Sequence, residues 1–210
     1  MSIKLWNKRI CNYAGLLGGL LPWISLLSAA LYGLVTGGLT ESFWKDFSIS
    51  ATYYVSPALA GILTAASIVL MCYDGYDIFD SFITTISGLF GILIVIFPCN
   101  CSLAGEHVGL FQLPAHVSSL LHCTSAVIFF ILLAFNVLFL FTKHGDGVTE
   151  KKKLRNKIYV VCGVGMLISM ALMPLPISFP AKTWWVEMSA LSFFAVSWLV
   201  KGEAFKFLND

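Results

Sequence analysis

Charge is what this sequence has least of. Only 11% of its 210 residues are Asp, Glu, Lys or Arg, while 58% are hydrophobic. Soluble domains carry about 25% charged residues, so that class is excluded. A polytopic membrane protein with short loops and little mass outside the bilayer fits instead. The formal net charge of +2 is too small to argue for nucleic acid, and no nucleic-acid partner is expected. What matters is where the positive residues fall.

Metal and redox spacings are missing too. Six cysteines are present, but Cys99-Asn100-Cys101 are too close in sequence for an unstrained disulfide, so free thiols are expected. His116 and His122 lie six apart and do not share a helix face, and neither HxxxH nor HExxH occurs. A haem bridged between spans would need histidines on two helices, and the other three lie in loops or at a helix end. No metal or cofactor is expected. No serine stands in a nucleophile-elbow setting. Asp74, Asp77 and Asp80 lack the spacing of a calcium loop. Asp74-Gly75 begins a lipid-phosphotransferase pattern whose remainder is absent, so these acids are expected to pair with the basic loop or with Lys201. Asn100-Cys101-Ser102 matches a glycosylation sequon pressed against the membrane.

What is there is a series of apolar runs. The fold class they predict is all-α, a single transmembrane domain of six helices over 1–210. The spans are expected at about 13–35, 57–73, 81–97, 116–142, 158–179 and 184–200. Lys4, Lys8 and Arg9 before the first run suggest a signal peptide, but the run continues through Leu34-Val35, so an uncleaved span is expected. Gly15, Gly18, Gly19 and Pro22 in span one, and Gly88 and Gly91 in span three, provide sites of close helix approach. The segment 36–56 is amphipathic and aromatic and is expected to rest at the interface. Pro174, Pro176 and Pro180 should unwind the outer end of span five. A basic loop, Lys143 to Lys157, follows span four.

Six spans put both termini on one side. All but two of the 13 Lys and Arg, Lys45 and Lys182 being the exceptions, then lie on that side. The positive-inside rule makes it the cytoplasm, with the bacterial inner membrane as the expected location.

Polar groups at membrane depth are costly, so each is a candidate for function. His122 lies about two turns into span four, with Ser118 and Ser125 on its face. Glu187 lies one turn into span six, and Ser48, Ser50 and Tyr54 reach the same outer level. Three readings stay open for this cluster. It is a structural hydrogen-bond network, a pocket that binds a lipid or amphiphile, or a catalytic site with His122 as base and Glu187 orienting it.

Several stretches resemble a known group. These are Ser48 to Tyr54 (SISATYY), Gly75-Tyr76-Asp77, Gly88-Leu89-Phe90-Gly91-Ile92, and Leu121-His122 with Ala126 and Phe129-Phe130. Leu154 to Tyr159, and Glu187 with Ser197 to Gly202, complete the set. Together they resemble uncharacterised bacterial six-span membrane proteins. More distantly, the layout is similar to the eukaryotic six-span family of autophagy modulators and GPI-lipid-remodelling proteins. This chain has Ala51 and Tyr53 where those relatives carry an acid and a glycine. The resemblance implies a lipid-related or membrane-organising role around Ser48, Ser50, His122 and Glu187. The function expected is lipid or amphiphile binding in an outer-leaflet pocket lined by Ser48, Ser50, Tyr54, Ser118, His122 and Glu187. An intramembrane lipid-modifying enzyme, by acyl transfer or hydrolysis, is the alternative, and an oligomeric channel or stress effector a third. Membrane lipid is the expected partner, with a homo-oligomer possible.

Overall fold

Helix α1 runs from Ile3 to Thr36, well before the Tyr13 at which the first span was expected to begin. The computed structural model describes residues 3–143 and 149–209, with side chains from Leu5 onward. The side chain of Lys4 and the 144–148 part of the expected basic loop therefore lie outside the described residues. The helix extends through the basic residues because its N-terminal end is anchored. Lys8 pairs with Glu203, and Asn12 Nδ2 donates to Gly202 O at 3.1 Å. Pro22 sits inside the helix without ending it.

The segment after α1, expected to rest at the interface, packs one face against the bundle and leaves Glu41, Ser42, Lys45 and Asp46 exposed. It folds inward as a short helix, α2 (Glu41–Lys45), and a 3₁₀ turn (Ser50–Tyr54). Phe43, Phe47, Ile49, Ala51 and Thr52 are buried there. Burying those aromatic and aliphatic side chains outweighs interfacial solvation, at roughly 25 cal/mol per Å² of apolar surface removed. Backbone bonds fix the fold-back, with Ala181 N donating to Lys45 O at 2.8 Å and Trp184 N to Phe47 O at 3.2 Å.

Helix α3 (Ala58–Met71) follows Pro57, and α4 (Ile78–Ile96) is capped by Asp77, whose carboxylate accepts from Asp80 N. The fold is all-α as expected, with one short two-stranded antiparallel hairpin, β1 (His107–Val108) with β2 (Leu113–Pro114), in the loop before the next helix. Helix α5 (Ala115–Phe135) ends in a π-helical turn at Asn136–Leu140. Helix α6 (Glu150–Leu172) begins far earlier than expected, so Lys151, Lys152, Lys153, Arg155 and Lys157 are helical rather than in a loop. Thr149 caps it, accepting from Lys152 N at 3.1 Å. Its outer end stops at Leu172, before the three prolines. Helix α7 (Lys182–Lys201) completes the bundle.

Among the described residues, five helices are long and apolar enough to cross a membrane, at Leu5–Thr36, Ile78–Ile96, Ala115–Leu140, Glu150–Leu172 and Lys182–Lys201. Integral membrane character follows from these. Helix α3 is shorter, at 14 residues. The six helices close a ring in the order α1, α3, α4, α5, α6, α7 and back to α1. All six seams are packed, the α5/α6 seam more closely at the π-helical turn than along α5 itself. Glycines make the tight seams possible. A Cβ on Gly15 would stand 2.8 Å from Leu199 Cγ and 3.0 Å from Ala195 O, and one on Gly88 would stand 2.5 Å from Ser67 O.

Two of the three acids expected to pair with the basic stretch, Asp77 and Asp80, do so, while Asp74 accepts from Asn7 and Ser81 instead. Lys143 Nζ bonds Asp77 Oδ2 at 2.9 Å and also Asp80, which is buried. Lys201 lies over the ring of Tyr76, 4.1 Å from its centroid.

Candidate functional site

The site begins with the way α4 ends. A helical carbonyl normally accepts from the N–H four residues on, and for Ile94 that residue is Pro98, which has no N–H. The chain unwinds after Ile96, leaving several carbonyls to find other donors. His122, buried on α5, takes two of them. Its Nδ1 lies 2.9 Å from Phe97 O and 3.1 Å from Ile94 O. Ser118, one turn earlier on α5, donates from Oγ to Pro98 O at 2.8 Å, and Tyr54 OH donates to Cys99 O at 2.7 Å.

Carbonyls only accept, so the hydrogen on the imidazole is assigned to Nδ1. Nε2 faces the other way, 2.9 Å from Ser50 Oγ. Ser50 Oγ in turn lies 3.2 Å from Glu187 Oε1, and Ile49 N donates to Glu187 Oε2 at 2.6 Å. Three elements thus meet at Ser50: the inward-folded first loop, α5 and α7.

Proton counting restricts this chain of groups. Ser50 has one hydrogen to donate and two neighbours able to accept it. Every contact is satisfied in two arrangements. In one, neutral His122 accepts from Ser50 while protonated Glu187 donates to Ser50. In the other, doubly protonated His122 donates to Ser50, and Ser50 donates to the Glu187 carboxylate. Both carry no net charge, as a site at membrane depth requires. The three side chains therefore form one continuous hydrogen-bonded chain from α5 to α7.

The unit lies between two cavities. The larger, about 470 Å³, is lined by Ser48, Ser50, His122 and Glu187 at its polar floor. Its walls include Ser119, Cys123 and Val127 of α5, Met170 of α6 and Met173 just beyond. Cys123 and Val127 are exposed on the outside of the bundle, so the cavity reaches the lateral surface beside α5, toward α6. Asp46, Asn100 and Ser102, also lining it, are exposed at the outer end. The smaller cavity, about 50 Å³, lies toward the bundle axis and is apolar, with Leu59, Leu63, Ile94, Phe129 and Leu191 among its walls.

Of the six residues singled out from the sequence, four line the larger cavity. Tyr54 and Ser118 do not; each is spent on a carbonyl of the unwound α4 end, supporting the wall rather than forming it. Ser48 Oγ accepts from Ala51 N at 3.0 Å, shaping the turn that presents Ser50. Sequence reasoning missed Asp46, Asn100, Cys123, Met170, Met173 and Thr183 as lining residues. Pro98 was the available signal for the carbonyls under His122. The six cysteines are free thiols. Burial pushes the Cys99 and Cys101 thiols above the usual range, and burial raises the Tyr54 phenol likewise. Among the described residues, no group of three His, Cys, Asp or Glu is placed to hold a metal ion.

Comparison with family models, curated proteins and solved structures finds no match to this chain.

Proposed function

We propose that this is a six-span membrane protein whose outer-leaflet cavity binds a lipid or similar amphiphile and serves membrane organisation. The observation that carries the reading is the 470 Å³ cavity with a polar floor at Ser50, His122 and Glu187 and a side that reaches the bilayer face of the bundle. An amphiphile matches such a cavity at both ends, its head on hydroxyl, imidazole and carboxyl groups and its tail along Val127, Met170 and the seam. Methionines suit an apolar wall that must fit chains of varied shape. The residues at the floor are also those through which the chain resembles the six-span lipid-remodelling and autophagy-modulator family.

Counting α3 as the sixth span returns both termini to the cytoplasm, with the bacterial inner membrane as the location. At 1.5 Å per residue, 14 residues rise only about 21 Å against a hydrocarbon core of about 30 Å. The Ser50–Tyr54 turn supports this count, because it continues the outer end of α3 under cover of protein. Irregular backbone is tolerated at membrane depth only where protein or a cavity covers it. Reporter fusions at each terminus test the topology, and a periplasmic signal from either end contradicts it.

The binding reading is tested by mass spectrometry of lipids that co-purify with the wild type, His122→Ala and Glu187→Gln. The wild type should retain a defined lipid class and the folded variants should lose it. If both variants lose helical content together with lipid, the cluster is a structural network and the reading fails.

A further inference from the structure

We propose that Ser50 is the nucleophile of an acyl-transfer site, acting on the carboxylic ester of a lipid that enters at the α5/α6 seam. The inference rests on the lipid-binding reading above. It goes beyond it by giving the floor of the cavity a reaction and Ser50 a role that no sequence motif around it announces.

Three features carry it. A serine nucleophile needs a base within hydrogen-bond reach, and the base needs a third group to hold it. Ser50 Oγ is 2.9 Å from His122 Nε2, and His122 Nδ1 is held by Phe97 O and Ile94 O. Two backbone carbonyls thus do what a carboxylate does in other serine–histidine sites, fixing the tautomer that leaves Nε2 free to accept a proton. Ser50 also lines both cavities, so its oxygen lies on the boundary between a polar-floored pocket and an apolar one. Asn100 and Thr183 also line the larger cavity, so it holds side-chain N–H and O–H donors besides the Ser50–His122 pair.

The step balances without an oxidant or reductant. Ser50 Oγ bonds to the ester carbonyl carbon while its proton passes to His122 Nε2. The bond from that carbon to the lipid alcohol oxygen breaks, and His122 returns the proton to the departing alcohol. Water, or a second lipid hydroxyl, then attacks the acyl-serine by the same route in reverse, giving a free fatty acid or a new ester. Glu187, in the arrangement that leaves His122 neutral, donates to Ser50 and is a positioning residue.

The lining also selects the substrate class. Asp46, His122 and Glu187 are there, with neither Lys nor Arg among the described lining residues. Lys182, on the same outer side, donates instead to Met173 O at 3.0 Å and to Leu175 O. Phosphate heads need cationic or backbone donors, so the substrate is an ester lipid with an uncharged, hydroxylated head or an amine.

The full-length protein in lipid nanodiscs is treated with an alkyl fluorophosphonate, and the adduct is mapped by tandem mass spectrometry. The wild type should be labelled at Ser50, Ser50→Ala should not be, and His122→Gln should react at least about 100-fold more slowly. Monoacylglycerol should protect the wild type from labelling and phosphatidic acid should not, a comparison that needs no variant. Absence of a Ser50 adduct from wild type that still retains its lipid overturns the nucleophile while leaving the binding reading intact. Absence of both adduct and retained lipid removes the two together. Equal protection by phosphatidic acid overturns the head-group assignment.

Discussion

At the scale of single residues, the account turns on how three polar side chains form one hydrogen-bonded chain. His122, Glu187, Ser48 and Ser50 were legible because polar groups are conspicuous in apolar surroundings and topology alone brings them to one level. Their partners were not legible, since Ile94 and Phe97 act through backbone carbonyls that any residue would supply. The trace they leave is Pro98, which frees Ile94 O by lacking an N–H. Pro98→Ala restores a donor at that position and lets α4 compete with His122 for the carbonyl. A lost or weakened hydrogen bond contributes about 1 kcal/mol, so lipid retention or Ser50 labelling should fall about fivefold with helix content unchanged or slightly raised. Unchanged retention would show that the carbonyls do not orient the imidazole. Tyr54 and Ser118 were grouped with the site from their depth, which fixes a level in the membrane but not a direction.

At the scale of elements, charge misled the reading of two boundaries. The lysines and arginines at both ends of the expected loops look like solvated chain, yet α1 and α6 run through them. Lys8 is held by Glu203, and Thr149 provides the side-chain cap that starts α6. The glycines were more informative. Gly88 was read as a packing site, and in the α3/α4 seam a Cβ there would meet the Ser67 carbonyl at 2.5 Å. Backbone cannot move aside as a side chain does, so Gly88→Val should cost about 2 kcal/mol or more and lower the melting temperature in detergent. A variant as stable as the wild type would mean that the seam is looser than described.

The corner at the start of α4 has its own pH dependence. The ammonium of Lys143 holds the Asp77 carboxyl below the usual carboxylate range. A depressed folded value contributes stability above the unfolded value, about 3.9, and loses it as pH falls through the folded value. Because both side chains are substantially exposed, salt should weaken the effect. Melting curves from pH 7 to pH 3 should show an acid-side decline that Asp77→Asn reduces and high salt flattens. A decline of equal size in the variant would assign it to other groups.

At the scale of the whole molecule, the ring of helices leaves a cavity between α5, α6, α7 and the first loop. Hydropathy gave the existence and order of the apolar segments because lipid demands about 20 apolar residues per helix. It could not tell that α3 is short, or that the first loop turns inward to complete the site, because Phe43 and Phe47 are apolar in either setting. That fold-back carries Ser50 to His122. The molecule is therefore built around a pocket whose floor is assembled from distant parts of the chain and whose side faces the bilayer.

Photocrosslinking tests that claim most directly. The full-length protein is reconstituted with a lipid carrying a photoreactive acyl chain, illuminated, and the adducts are mapped to residues. The account predicts adducts concentrated on Cys123, Val127, Met170 and Met173, displaced by excess unlabelled lipid and lost in folded His122→Ala. Adducts spread evenly over the exposed faces of α1, α4 and α6, with no excess at the α5/α6 seam, would contradict it.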